Sequence, residues 1–132
     1  MLQACGQWSL CGSILYRELI AEHGLIIVEG FNDVIGLDNL GVPSLGIMSN
    51  HMTELQGEKI ARFARQLGVN RINLMFDCEA TGVEGAKEAL WFFAERQFEV
   101  RLVWSPTMHE GQFSGWQPES LSEADLGTVI GY

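Results

Sequence analysis

Leu25-Ile26-Ile27-Val28-Glu29-Gly30-Phe31-Asn32-Asp33-Val34 opens on four apolar residues in a row and closes on an acidic, glycine-containing turn. An unbroken apolar run this short suits a strand buried on both faces, as in a parallel sheet, better than a strand with one wet face. Glu29-Gly30 ends that strand. From Asp33 to Leu40, Val34, Ile35, Leu37 and Leu40 fall on or near one helical face, Gly41 closes the turn and Pro43 bars continuation. A short helix is therefore expected directly after the strand.

The same alternation extends in both directions. Upstream, Leu10, Ile14, Leu15 and Leu19 recur at helical spacing before Gly24, which predicts a lead-in helix over Leu10 to Glu22. Downstream, Ser44 to Met48 predicts a second strand, and Thr53-x-x-Gln56 is a capping box for a helix to about Leu67 whose buried stripe is Ile60, Phe63, Ala64 and Leu67. Arg71 to Phe76 predicts a third strand ending at Asp77. Thr81-x-x-Glu84 predicts a second capping box, opening a helix to about Arg96 with Val83, Ala86, Leu90 and Phe93 turned inward. Phe98 to Trp104 supplies a fourth strand, Ser105 to Gln117 a polar loop, and Pro118 the first turn of a closing helix. Parallel strands need crossovers, so the expected fold is α/β, a doubly wound, Rossmann-like, mostly parallel four-stranded sheet with helices on both faces. Residues 1–23 read as a lead-in helix packed on one domain formed by residues 24–132.

At 132 residues and 47% apolar content the chain suits one domain with a real core. Its 8 Lys and Arg against 17 Asp and Glu leave a net charge of −9, which repels nucleic-acid phosphate and anionic lipid. Autonomous DNA or membrane binding is disfavoured. No apolar run approaches the ~20 residues of a membrane span. Met1 to Ser13 lacks the basic start and apolar stretch of a secretory signal, so the cytoplasm is expected. Cys5, Cys11 and Cys78 are odd in number with no C-x-x-C pair, which supports neither a disulfide framework nor a zinc ribbon. Cys78 is flanked by acids that disfavour its thiolate and hence a nucleophilic role. His23 and His109 have no partners at metal-ligand spacing. Trp8, Trp91, Trp104 and Trp116 are not interleaved with Lys or Arg, and read as core or contact residues rather than a base-stacking surface.

Two acidic clusters stand at expected strand ends, Glu29 with Asp33 and Asp77 with Glu79. In doubly wound sheets the ligand site lies beyond the carboxyl ends of the strands, near the switch in strand order. If the first and third strands are neighbours, Glu29, Asp77 and Glu79 share one crevice. Like charges that close need compensation, and a hard divalent cation held by oxygen, Mg²⁺ or Mn²⁺, is the economical one. Each acid also has a plainer reading. Glu29 can face a helix N-terminus, Asp33 can be an ordinary first-turn acid, and Pro118-Glu119 is common capping chemistry.

Val28-Glu29-Gly30-Phe31-Asn32-Asp33-Val34-Ile35-Gly36-Leu37, followed by Phe76-Asp77-Cys78-Glu79-Ala80-Thr81-Gly82, resembles the Toprim domain of bacterial primases, type IA and type II topoisomerases, OLD-family nucleases and recombination mediators. The resemblance runs from about Leu25 to Leu126 and is nearest to primase-type members. It implies Mg²⁺ held by a glutamate after the first strand, here Glu29, and by an Asp-x-Asp pair after the third, here Asp77 and Glu79. It further implies Glu29 as general acid or base. Gly46-Ile47-Met48-Ser49 looks like the primase turn after the second strand, which makes Ser49 and the nearby His51 secondary candidates. Gln117-Pro118-Glu119-Ser120-Leu121 looks like a late acidic segment, which adds Glu119 to Asp33. The sequence departs from the pattern at Glu79, one methylene longer than aspartate, and at Ala80 and Val83, where primase-type relatives often carry arginines.

The resemblance implies nucleotidyl or phosphoryl transfer on nucleic acid, with nucleic acid and nucleotides engaged only in the context of other domains or subunits, and a replication or repair partner. The competing expectation is a non-catalytic module that binds metal or protein, supported by the charge of −9 and the missing arginines. A receiver domain is a third doubly wound fold with an acidic Mg²⁺ pocket. It needs paired acids after the first strand and a lysine after the last, and Glu29-Gly30 and Ser105-Pro106 supply neither.

Overall fold

The apolar run Leu25–Val28 forms a strand, β2, with all four residues buried. It lies inside a sheet whose strands, in spatial order, are β1 (Gln3–Ala4), β3 (Ser44–Gly46), β2, β4 (Arg71–Leu74) and β5 (Glu99–Leu102). The computed structural model describes residues 3–4 and 10–131. The readings of Cys5 and Trp8 lie outside these residues. Strands β3, β2, β4 and β5 are mutually parallel, as the sequence predicts. The two-residue β1 is an addition, pairing antiparallel with β3 and covering its outer edge.

Among the described residues five α-helices accompany the sheet, α1 (Leu10–His23), α2 (Phe31–Asn39), α3 (Glu54–Gln66), α4 (Ala80–Ala94) and α5 (Glu123–Ile130). Side chains alternate along each strand, so two faces demand cover. Leu25, Ile27, Ile72 and Leu74 pack with Ile60 and Ala64 of α3, Ala86 and Phe93 of α4 and Ile20 of α1. Ile26 and Val28 pack with Val34 and Leu37 of α2 and Leu126, Val129 and Ile130 of α5 on the other side. The sheet is doubly wound, and burial on both faces explains why β2 reads as a continuous apolar run rather than an alternating one. Asn73 of β4 and Ser44 of β3 are polar exceptions in the sheet, and Asn73 Nδ2 donates to the His23 carbonyl at 2.7 Å, tying the end of α1 to the sheet. Among the described residues no helix is long and apolar enough to cross a membrane.

Three predicted helix starts differ from those observed, and α2 begins at Phe31 rather than Asp33. The helix after the third strand is capped by Glu79, whose extended backbone (φ −147°, ψ 171°) precedes Ala80, and not by Thr81. A tight turn from the Glu79 amide to the Asp77 carbonyl (2.8 Å) brings the chain into helical geometry early, and Val83 N–H closes the first turn on the Glu79 carbonyl at 3.0 Å. Thr81 thus lies inside the helix. Pro118 opens a separate 3₁₀ turn, Pro118–Ser120, while α5 begins at Glu123 under a reciprocal cap between Ser122 and Asp125. The Thr53–Gln56 capping box of α3 forms as predicted, with the Gln56 amide donating to Thr53 Oγ1 at 3.1 Å and the Thr53 amide to Gln56 Oε1 at 3.0 Å.

The buried face of α4 includes Gly82 and Gly85 as well as Ala86, Ala89 and Phe93. A β-carbon on Gly82 would collide with the Asp77 carbonyl, and one on Gly85 with the Asn50 carbonyl. The helix start therefore sits directly against the two loops that follow β4 and β3, and neither obstacle is a side chain that could turn aside. Gly85→Ala should lower stability by about 1–3 kcal/mol, the range for forcing extra volume into a packed interior. Urea unfolding measures this, and an unchanged midpoint would mean that the loop around Asn50 yields without cost.

Candidate functional site

Because β2 and β4 are adjacent and parallel, with Ile27 opposite Leu74 and the Met75 amide donating to the Ile27 carbonyl at 2.9 Å, the segments leaving them run side by side. Glu29 and Asp77 are brought together there, and the Asp77 amide donates to Glu29 Oε2 at 2.6 Å. Chain order passes from β2 to β3 on one side and then crosses to β4 on the other. This is the switch point at which the carboxyl ends of a doubly wound sheet open a crevice. The crevice has a volume of about 430 Å³. Its lining includes the four acids Glu29, Asp33, Asp77 and Glu119, the polar Asn32, Ser49, Asn50 and Gln117, and the apolar Phe31 and Met48.

Asp33 is buried in the first turn of α2 and accepts from two backbone amides, Gly30 at 3.1 Å and Glu119 at 3.3 Å. The first bond holds the turn after β2. The second braces the distant Pro118–Ser120 turn. Gly36 completes that brace, since a β-carbon there would stand 2.9 Å from Glu119 Cα, so helix and turn meet backbone to backbone. Glu119 reaches the crevice through this packing. Glu79 is exposed at the cap of α4, accepts from Thr81 Oγ1 at 3.1 Å and is not part of the crevice lining, although its charge is felt by both Glu29 and Asp77. Ser49 lines the crevice and accepts the His51 amide at 3.2 Å. His51 itself is exposed, with Nδ1 3.2 Å from Glu88 Oε2 on α4, and is not part of the lining.

Burial is the main force on the site's carboxyl groups. It raises Glu29 from 4.5 to about 7, opposed by the Asp77 amide and reinforced by the negative charges of Asp77, Asp33 and Glu79. Asp33 rises from 3.8 to about 6, first through burial and then through the charge of Asp77, despite its two amide donors. Asp77 is pushed up by burial and by Glu79. No lysine or arginine is among the described residues that line the crevice. Cys78 is buried in the core beside this segment, and burial, rather than the flanking acids, pushes its thiol up.

A divalent cation would answer this imbalance. Asp77 Oδ1 is buried without a hydrogen-bond partner, an acceptor left over by the protein that a cation would satisfy. Among the described residues no three His, Cys, Asp or Glu side chains already encircle one point. The arrangement fits Mg²⁺, which commonly uses one or two carboxylates and keeps several waters, better than a closed zinc centre. Glu29 and Asp77 are the residues that would hold it.

Phe31, Met48, Asn50 and Gln117 were not among the residues singled out from the sequence. An exposed phenylalanine after Glu29-Gly30 is a weak sign available in the sequence. Met48 offered none, because its position depends on a backbone φ of 61° that methionine rarely adopts.

No protein-family model matches the chain, and no curated protein matches it. Solved structures share its fold. The crystal structure of the Aquifex aeolicus primase, comprising zinc-binding and RNA polymerase domains, matches with a TM-score of 0.61 and 21% identity, over 91% of this chain and 26% of that one. A putative protein from Aquifex aeolicus matches with a TM-score of 0.52 and 17% identity, over 72% of this chain and 83% of that one. The fold is therefore primase-like, and the chain spans about a quarter of the primase it matches.

The raised carboxyl of Glu29 has a direct consequence for stability. The folded chain holds this proton to about pH 7 and the unfolded chain only to about 4.5. The stabilisation is full below 4.5, declines through that window and is gone above 7. Glu29→Gln cannot ionise, so in metal-free buffer its stability advantage over the parent should grow from pH 4.5 and level off above 7. About 1–2 kcal/mol is expected after allowance for solvent screening of a partly exposed carboxyl. Chemical unfolding at a series of pH values tests this, and a pH-independent difference would contradict it.

Removing Asp33 should act in the opposite direction. Asp33→Ala leaves the Gly30 and Glu119 amides without their acceptor and should cost about 1–3 kcal/mol. Hydrogen exchange should quicken at both amides together, and exchange quickened at Gly30 alone would show that the brace to Pro118–Ser120 is incidental.

Proposed function

We propose that this chain is a Toprim-like, Mg²⁺-dependent module of a primase-like assembly, acting in nucleotidyl or phosphoryl transfer on nucleic acid in the cytoplasm. The observation that carries this reading is the meeting of Glu29 and Asp77 at the switch point, with Asp77 Oδ1 left unpartnered. The primase-like fold and the Glu-Gly-x-x-Asp and Asp-x-Glu spacings support it. A bound Mg²⁺ or Mn²⁺ would supply neutralisation and orientation of a phosphate. Asp77 offers it a free oxygen, and Glu79, exposed two residues further on, adds negative charge. Glu29, oriented by the Asp77 amide, carries the proton as general acid or base. Asp33 positions the turn that presents Glu29 and braces Glu119 in the crevice lining. Nucleic acid would be engaged with the help of other domains or subunits, because this chain has 8 basic residues against 17 acidic ones.

The alternative reading, a module that binds metal or a protein partner without chemistry, is favoured by one observation. The described crevice lining contains no basic side chain to meet a substrate phosphate.

Calorimetric titration should show weak Mg²⁺ binding, because few protein oxygens face the ion. Asp77→Asn should abolish the heat and Glu79→Gln should reduce it. Identical isotherms for the parent and both variants would remove the metal site. In an assembly with Mg²⁺-dependent turnover, Glu29→Gln should eliminate activity while the fold persists, and retained turnover would favour the non-catalytic module.

A further inference from the structure

The crevice has two chemically distinct parts. Its acids include Glu29 and Asp77, while Phe31 and Met48 place apolar side chains in the same lining. Phe31 is 52% exposed and Met48 36% exposed. Neither is placed there by core packing. Phe31 is the first residue of α2, directly after the Gly30 cap. Met48 is held in the left-handed region at φ 61°, a conformation that costs a non-glycine residue free energy and persists where the surroundings impose it. Its side chain turns back over the end of β3, for a β-carbon on Gly46 would meet Met48 Cε at 2.7 Å and the Gly30 carbonyl at 3.5 Å. The methionine methyl thus lies close to the turn that carries Phe31.

We infer that Phe31 and Met48 form an apolar clamp for the flat face of a nucleobase whose phosphate lies at the acidic side of the crevice. This rests on the metal-dependent reading proposed above, since without a cation the carboxylates would repel a phosphate. Several classes of small molecule carry a phosphate, but a nucleotide also has a planar apolar face of the kind that aromatic side chains stack against, and sulfur makes favourable contact with aromatic rings. The base and phosphate could come from a free nucleotide or from a single strand, and the two sources present the same chemistry to the clamp.

Binding of ATP, of inorganic tripolyphosphate and of a short single-stranded oligonucleotide, each with saturating Mg²⁺, separates the components. The 132-residue chain should bind Mg²⁺–ATP about tenfold more tightly than Mg²⁺–tripolyphosphate, the order expected for one stacked base. Phe31→Ala should erase that advantage, Phe31→Tyr should restore it, and neither should alter the isotherm for Mg²⁺ alone. Met48→Gly should weaken ATP in the same way with no loss of melting temperature, because glycine accepts the positive φ. An oligonucleotide that responds to Phe31→Ala more than ATP does would assign the clamp to a strand, and the reverse to a free nucleotide. Equal affinity for ATP and tripolyphosphate, with Mg²⁺ binding intact, would overturn the clamp and leave the metal site standing. No response to Mg²⁺ at all would overturn both.

Discussion

A 2.6 Å hydrogen bond from the Asp77 amide to the Glu29 carboxylate joins the ends of two strands that are 48 residues apart in the chain. It can form only because β2 and β4 are parallel neighbours, and that adjacency exists because the crossover through α3 carries the chain past β2 to its other side. The crevice, its acidic side and the start of α4 all follow from this reversal of strand order. Both faces of the sheet must then be covered, and the two core clusters do so with α3 and α4 on one side and α2 and α5 on the other.

The site is held in place by backbone contacts more than by side-chain pairing. Glycines let α4 approach the Asp77 and Asn50 carbonyls, and Gly36 lets α2 meet the Pro118–Ser120 turn. Asp33 links the turn after β2 to that distant segment through two amides. Such contacts leave little slack, so the carboxylates stay close together although their charges oppose it. Burial above all, reinforced by neighbouring negative charge, raises the carboxyl pKa values of Glu29, Asp33 and Asp77. A cation is the natural relief for such an arrangement.

The acidic crevice differs from a surface built to hold nucleic acid unaided. Its lining mixes acidic, neutral polar and apolar side chains, and a long polyanion would meet a net charge of −9.

Much of the architecture was legible in the chain itself. The run Leu25–Val28 announced a strand buried on both faces, Thr53 and Gln56 announced a helix start, and the alternation of apolar runs with helical stripes announced a doubly wound sheet, because these signals depend on local periodicity and capping chemistry. Glu29, Asp33, Asp77 and Glu119 could be picked out as acids at element ends, and the folded chain gathers all four around one crevice. Other features were set by contacts that sequence periodicity does not report. The cap at Glu79 instead of Thr81 came with a turn onto the Asp77 carbonyl, and Met48, at a positive φ, lays its side chain over Gly46 near the Gly30 carbonyl. His51, near the crevice in sequence, pairs with Glu88 because α4 lies beside it. Periodicity and turn chemistry act over a few residues and so can be read along one dimension. Which loops face each other and which side chains line the crevice are settled by packing across the sheet, where the partners are tens of residues apart.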